Sequence, residues 1–118
     1  MGFSEIELSA AFGALSDTSR RQMIRLLLQK PRRAGELAEC LDMSPQALSR
    51  HLRVLRKAGL VFEQGIERDA RVRIYSVHAT AFQPVQDWMA QVENLWRRQL
   101  QAFKDFAENP RRTGRLKP

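Results

Sequence analysis

The chain has 118 residues, enough for one domain with a single modest core, which argues against two independent domains. Its 43% hydrophobic share is too high for a disordered chain, and no apolar run approaches the length of a membrane span. Lys and Arg outnumber Asp and Glu by 20 to 13, giving +7 and a pI near 10.7, a balance that favours a polyanion such as nucleic acid as partner.

The N-terminal MGFSEIELSA has no basic region ahead of an apolar run, and Ile6 stands where a myristoylation signal requires Ser or Thr. Neither a leader nor a membrane anchor is expected there. Residues 5 to 15 predict a short helix with Ile6, Leu8, Ala11, Phe12 and Leu15 apolar. Ser16 or Asp17 caps a second helix running to about Gln29, with Met23, Ile24, Leu27 and Leu28 inward, and Pro31 stops it. A third helix, about Ala34 to Leu41, carries Leu37, Ala38 and Leu41, and the break DMS follows. Ser44 is a good N-cap, Pro45 is tolerated at the first helical position and Gly59 suits a left-handed stop, so the fourth helix spans about Pro45 to Ala58. Its inward stripe is Leu48, Leu52 or His51, and Leu55.

After Gly59 the hydrophobic period changes from helical to alternating. LVFEQGI and RVRIYSV flank ERDA, which predicts a hairpin with a charged tip. From about Thr80, the residues Phe82, Val85, Trp88, Met89, Val92, Leu95, Trp96, Leu100, Phe103 and Phe106 recur at helical spacing and predict one long terminal helix. The expected class is mainly α with a two-stranded β wing, in the order α-α-α-α-β-β-α. One domain is expected over residues 1–108, followed by a basic tail over 109–118 that reads as a solvated end or, as the alternative, an arm tracking phosphates.

The charge gathers in two places. Positions 30 to 58 hold Lys30, Arg32, Arg33, Arg50, Arg53, Arg56 and Lys57 against Glu36, Glu39 and Asp42, while NPRRTGRLKP carries four cations and no acid. Such clustering is a footprint rather than a solvated face. Two short helices joined by a tight turn, the second with polar residues opposite a leucine stripe, form a helix-turn-helix with the hairpin as its wing. With Leu48, Leu52 and Leu55 inward, the outward residues of the fourth helix include Ser44, Gln46, Ala47, Ser49, Arg50 and Arg53, and the hairpin adds Arg71 and Arg73. Arg pairs with guanine, Gln with adenine, and Ser with base edges or phosphate, so double-stranded DNA is the expected partner. Arg56 and Lys57 suit phosphate contacts or the helix dipole.

The stretches FGALSDTSRRQMIRLLL, AGELAECLDMSPQALSRHLRVLRKAGLV and RVRIYSV resemble the corresponding segments of the ArsR-type winged helix-turn-helix repressors, over roughly residues 5 to 105. That resemblance implies a bacterial homodimer that binds operator DNA and is released by an effector, with the first and last helices pairing the subunits. Phe12, Trp88, Val92, Leu95 and Trp96 are then the expected dimer contacts. The chain departs from the family at the wing tip, where Asp69, Ala70 and Arg71 stand in place of a frequent glycine. It departs again at the family's metal sites. ELAECLD offers only Cys40 where paired thiolates are needed, and the terminal helix offers Asp87 and Glu93 without a histidine.

No metal and no cofactor are expected, and an unidentified small-molecule effector is left open, with the surroundings of Trp88 and Trp96 as one place for it. Cys40 reads as a small buried residue; being single, it cannot make an intrachain disulfide, which suits a reducing cytoplasm. His51 reads as a packing or phosphate-side residue, since no nucleophile or carboxylate lies at a helical spacing beside it, and His78 reads as a loop or cap residue. Without a Gly-rich phosphate loop or clustered metal ligands, an enzyme is not expected. A sequence-specific regulator, with repression as its expected action, is the favoured reading. A sequence-nonspecific architectural DNA binder is the alternative, with a protein-interaction module behind it.

Overall fold

The computed structural model describes residues 4–66 and 69–109, apart from the side chains of 66, 69 and 70. It contains α1 (Glu5–Leu15), α2 (Thr18–Gln29), β1 (Arg32–Arg33), α3 (Ala34–Leu41), α4 (Pro45–Lys57), β2 (Val61–Ile66), β3 (Asp69–Val77) and α5 (Gln83–Glu108). The described residues fall into two compact units divided between Val85 and Gln86.

Local chemistry sets most of the helix boundaries. Ser4 Oγ accepts from the backbone N–H of Glu7 at 3.1 Å while Glu7 Oε1 accepts from Ser4 N–H at 3.0 Å, a reciprocal cap on α1. Asp17, not Ser16, caps α2, with Oδ2 accepting from Arg20 N–H at 3.0 Å. The Arg33 N–H donates to Glu36 Oε1 at 3.0 Å at the start of α3. That bond holds the Glu36 carboxyl below the usual carboxylate range, as the Arg20 N–H does for Asp17. Asp42 closes α3 in the left-handed region at φ 51°, which a short Asx side chain tolerates, and so turns the chain sharply toward α4.

The end of α4 is closed by Gly59 at φ 79°. Leu60 N–H donates to Leu55 C=O at 3.0 Å, the six-to-one bond of a Schellman motif, and both leucines are buried beneath it. Helix α4 thus stops at Lys57 with Ala58 as its cap.

The sheet adds one short strand to the expected wing. Arg32 and Arg33, read from sequence only as cations, form the short strand β1, and the antiparallel order is β1-β3-β2. Arg32 pairs with Tyr75 and Arg33 with Ile74, while β2 runs against β3 from Val61↔Val77 to Gly65↔Arg73. The register then shifts, with Ile66 next pairing Asp69, so β3 has an irregular stretch there. Strand β3 begins inside the ERDA segment expected as the tip; residues 67 and 68, and the side chains of Asp69 and Ala70, lie outside the described residues.

The core of the first unit is built from Ala11 and Ala14 of α1, Met23, Ile24 and Leu27 of α2, Leu37 of α3, and Leu48, Leu52 and Leu55 of α4, closed by Leu60, Val61, Tyr75 and Ala81. Met23, Leu37 and Leu55 have no exposed surface. Leu28, expected inward, and Cys40, expected to be buried, lie elsewhere, and the apolar Ile6 is exposed as well. Leu28 is 61% exposed, because Met23, Ile24 and Leu27 already fill the inward stripe of α2 and Leu28 falls one residue past it. Ile6 is 82% exposed, since the buried stripe of α1 runs through Leu8, Ala11 and Ala14 and leaves position 6 on another face. Cys40, expected to be buried, is exposed on the last turn of α3. Helix α5 starts at Gln83 rather than near Thr80, after turns in which Ala81 N–H donates to His78 C=O at 3.0 Å and Gln83 N–H to Thr80 C=O at 3.2 Å.

Candidate nucleic-acid interface

Helix α4 is held from behind by Leu48, Leu52 and Leu55, exposed by 2%, 3% and 0%. The leucine alternative to His51 is therefore the one that faces the core, while His51 is half-buried at its edge. Because the leucines repeat every three or four residues, the opposite face is left to solvent, and Gln46, Ser49, Arg50 and Arg53 are all exposed there. Ala47 is half-buried. Ser44 is exposed, but its Oγ already accepts from Ala47 N–H at 3.1 Å as the N-cap, so the hydroxyl has its proton to offer rather than its first lone pair. No carboxylate occurs anywhere along α4. Its outer face is a donor-rich, positive surface on a rigid helix.

The last turn of α4 is tied to the wing. Arg56 Nη2 stands 3.4 Å from Glu63 Oε1, and Tyr75 Oη donates to Glu63 Oε2 at 2.9 Å. Glu63 thus bridges α4 to the base of β2 and β3. Arg56, expected at phosphate or at the helix dipole, is used in this bridge. Burial, reinforced by the Glu63 carboxylate, pushes the Tyr75 hydroxyl above its ordinary 10.0, so it remains a donor at neutral pH. Beside this bridge lies an open cavity of about 600 Å³ lined by Arg53, Arg56, Lys57, Val61, Phe62, Glu63 and His78. The rings of Phe62 and His78 form one side with centroids 4.7 Å apart, and the His78 backbone N–H donates to Leu60 C=O at 3.1 Å.

On β3, Arg73 is exposed and shares the strand face of buried Tyr75 two residues on. It lies opposite Gly65, and a Cβ at Gly65 would come within 3.2 Å of Arg73 Nη1. The glycine leaves the room in which the guanidinium lies across the strand pair. Arg71 is exposed in the irregular stretch of β3. The basic segment 110–118 falls outside the described residues.

The structure brings together Gln46, Ser49, Arg50 and Arg53 on one helix face and sets Arg73 on the adjoining wing. Phe12 on α1 is 39% exposed. Along α5, Trp88, Val92, Leu95 and Trp96 are exposed by 38%, 38%, 58% and 64%, with Leu100, Phe103 and Phe106 continuing the stripe. Sequence reading missed Glu63 and Tyr75; their signal is an alternating pattern that places an acid and a phenol on facing strands, visible only once the register is known. Among the described residues no three His, Cys, Asp or Glu side chains are grouped to hold a metal ion, and no helix is long and apolar enough to cross a membrane.

Residues 17–62, from the cap of α2 into β2, match the family model described as bacterial regulatory protein, arsR family. The transcriptional repressor SdpR of Bacillus subtilis is 30% identical over 82 residues, covering 70% of this chain and 88% of that one. The HTH-type transcriptional regulator Rv2034 of Mycobacterium tuberculosis is 31% identical over 100 residues, covering 84% and 87%. The chain belongs to the ArsR family. The structure of an ArsR-like transcriptional regulator from Rhodococcus sp. RHA1 is similar to it with a TM-score of 0.74 at 30% identity, over 88% of this chain and 93% of that one. As an ArsR-family protein it is a DNA-binding transcriptional regulator with the winged helix-turn-helix fold, and not an enzyme.

Proposed function

We infer that this ArsR-family chain is a homodimeric, sequence-specific repressor that places its two α4 helices in successive major grooves of an operator. The observation that carries this reading is the outer face of α4, where Gln46, Ser49, Arg50 and Arg53 are exposed on a helix whose other side is locked into the core. Base edges are read by Arg50, Gln46 and Ser49, with Ala47 available for a thymine methyl group and Ser44 for phosphate. Arg53 opens onto the cavity it shares with Lys57, which suits a backbone phosphate as well as a base edge. Arg71 and Arg73 extend the contact along the wing.

Dimerisation is supported by α5. A helix of 26 residues without one buried side chain, carrying Trp88, Val92, Leu95 and Trp96 along a single apolar stripe, exposes more apolar surface than a lone chain tolerates. A second copy covers it, with Phe12 of α1 adding to the contact. Repression as the sign of regulation is supported by the name of SdpR. A signal that releases the operator belongs to this reading, as does a cytoplasmic location beside the operator. The cations Arg111, Arg112, Arg115 and Lys117 lie outside the described residues.

The test is to incubate the purified protein with fragmented bacterial genomic DNA, recover the bound fragments and sequence them. A dimer reading with two α4 helices enriches an inverted repeat whose half-sites are about 34 Å, or one helical turn, apart. Recovery of fragments in proportion to their abundance would instead indicate a sequence-nonspecific binder.

A further inference from the structure

Arg20 stands where three helices meet. Its backbone N–H is held by the α2 cap, Asp17 Oδ2, at 3.0 Å. Its guanidinium directs each nitrogen to a different partner. Nε donates to the Ala14 carbonyl at 2.6 Å, Nη2 to the Gly13 carbonyl at 3.3 Å, and Nη1 to Nδ1 of His51 at 3.3 Å. The first two acceptors belong to the last turn of α1, where the Gly13 carbonyl also accepts from the hydroxyl of the cap residue Ser16 at 2.7 Å. That turn has no basic residue of its own, and Arg20, together with Arg21, whose Nη1 donates to the Leu15 carbonyl at 2.7 Å, supplies the positive charge a helix C-terminus favours. The third acceptor sits on α4, between Arg50 and Leu52.

Arginine has donors only, so in this arrangement His51 Nδ1 must present its lone pair and the ring proton resides on Nε2. Asp17 Oδ2 lies 3.9 Å from the same nitrogen, too far for a hydrogen bond. His51 therefore takes its bond from Arg20, and it is half-buried.

We propose that Arg20 is a positioning residue for DNA recognition, which fixes the rotation of α4 relative to α1 through His51. The proposal rests on the reading of α4 as the recognition helix, and in it neither Arg20 nor His51 touches DNA. A planar guanidinium suits the task because its donors leave in fixed directions, so three bonds made at once allow little rotation. The tolerance is small. At a side-chain radius of roughly 5–6 Å, a turn of α4 by about 10° moves its outer atoms by about 1 Å, enough to spoil a bidentate contact to a base. Random duplex, held by phosphates alone, is indifferent to such a turn.

The experiment measures fluorescence anisotropy of the full chain on a duplex recovered by genomic selection and on a random duplex of equal length, at one salt concentration. His51→Leu keeps bulk but removes the acceptor, and should lose about tenfold on the selected duplex with less than about twofold change on the random one. His51→Gln, whose Oε1 can accept from Nη1, should stay within about threefold of the parent on both. Arg20→Lys, with one ammonium in place of three directed donors, should resemble His51→Leu on the selected duplex. A His51→Leu protein that binds the selected duplex as the parent does, or a Gln variant that loses as much as the Leu variant, would overturn the proposal. A parent that prefers no duplex would instead overturn the recognition reading. Nitrogen-15 NMR of the parent gives an answer that needs no variant: the neutral ring of His51 is expected as the Nε2–H tautomer, and the Nδ1–H tautomer overturns the link whatever the variants do.

Discussion

Arg50 is the side chain that separates reading a sequence from holding a duplex. It is exposed on α4 with its neighbours Gln46 and Ser49, and nothing on its own helix neutralises it. Arg50→Ala is expected to cost about 1–3 kcal/mol on the preferred duplex and to relax base preference at one position of each half-site. Equal losses on preferred and random DNA, measured by anisotropy, would assign Arg50 to phosphate. Tyr75 offers a second test at this scale because it is the chain's one tyrosine, so absorbance follows its titration alone. Its folded value is raised above 10.0 by burial and by Glu63. A group raised on folding stabilises the fold below its unfolded value, and that contribution is lost as pH rises through the folded one. Stability should therefore fall above about pH 10 in the parent, and less so in Tyr75→Phe, as followed by urea denaturation at stepped pH.

The helices were legible in the sequence because their ends are local chemistry. Ser44-Pro45 and Gly59 bracket α4 without reference to any other part of the chain, and Asp17 and Asp42 set the limits of their neighbours in the same way. What was not legible depends on tertiary pairing. Arg32 and Arg33 have no strand signature of their own and become β1 only because Tyr75 and Ile74 offer an open edge. The tie between Arg56 and Glu63 requires the strand register, and the choice between His51 and Leu52 requires knowing where Arg20 lies. Cys40 escapes the sequence reading because residue type predicts burial only on average, while α3 turns that position outward. The dependence of α4 on its stop is testable. Gly59 has φ 79° and open space around its missing Cβ, so Gly59→Ala meets only backbone strain and should cost about 1–2 kcal/mol. Gly13 also has open space but lies inside α1 in helical conformation, so Gly13→Ala should instead stabilise by up to about 1 kcal/mol. Thermal unfolding of the two variants beside the parent checks the opposite signs.

For the whole molecule, the proposed function requires two copies. Leu95 and Trp96 are more than half exposed in a single chain, so placing Asp at Leu95 should disturb one chain little while putting a charge into the proposed subunit contact. Leu95→Asp should sediment as a monomer and lose most of its preference for the selected duplex, because one α4 reads only half a site. A variant that stays dimeric and still prefers its site would remove α5 from the interface. Whether the exposed face of α4 reads sequence is decided by the affinity of the parent for its selected duplex against a random duplex at one near-physiological salt concentration. A ratio of about 10³ or more in favour of the selected duplex is expected. Equal affinities for the two would contradict it.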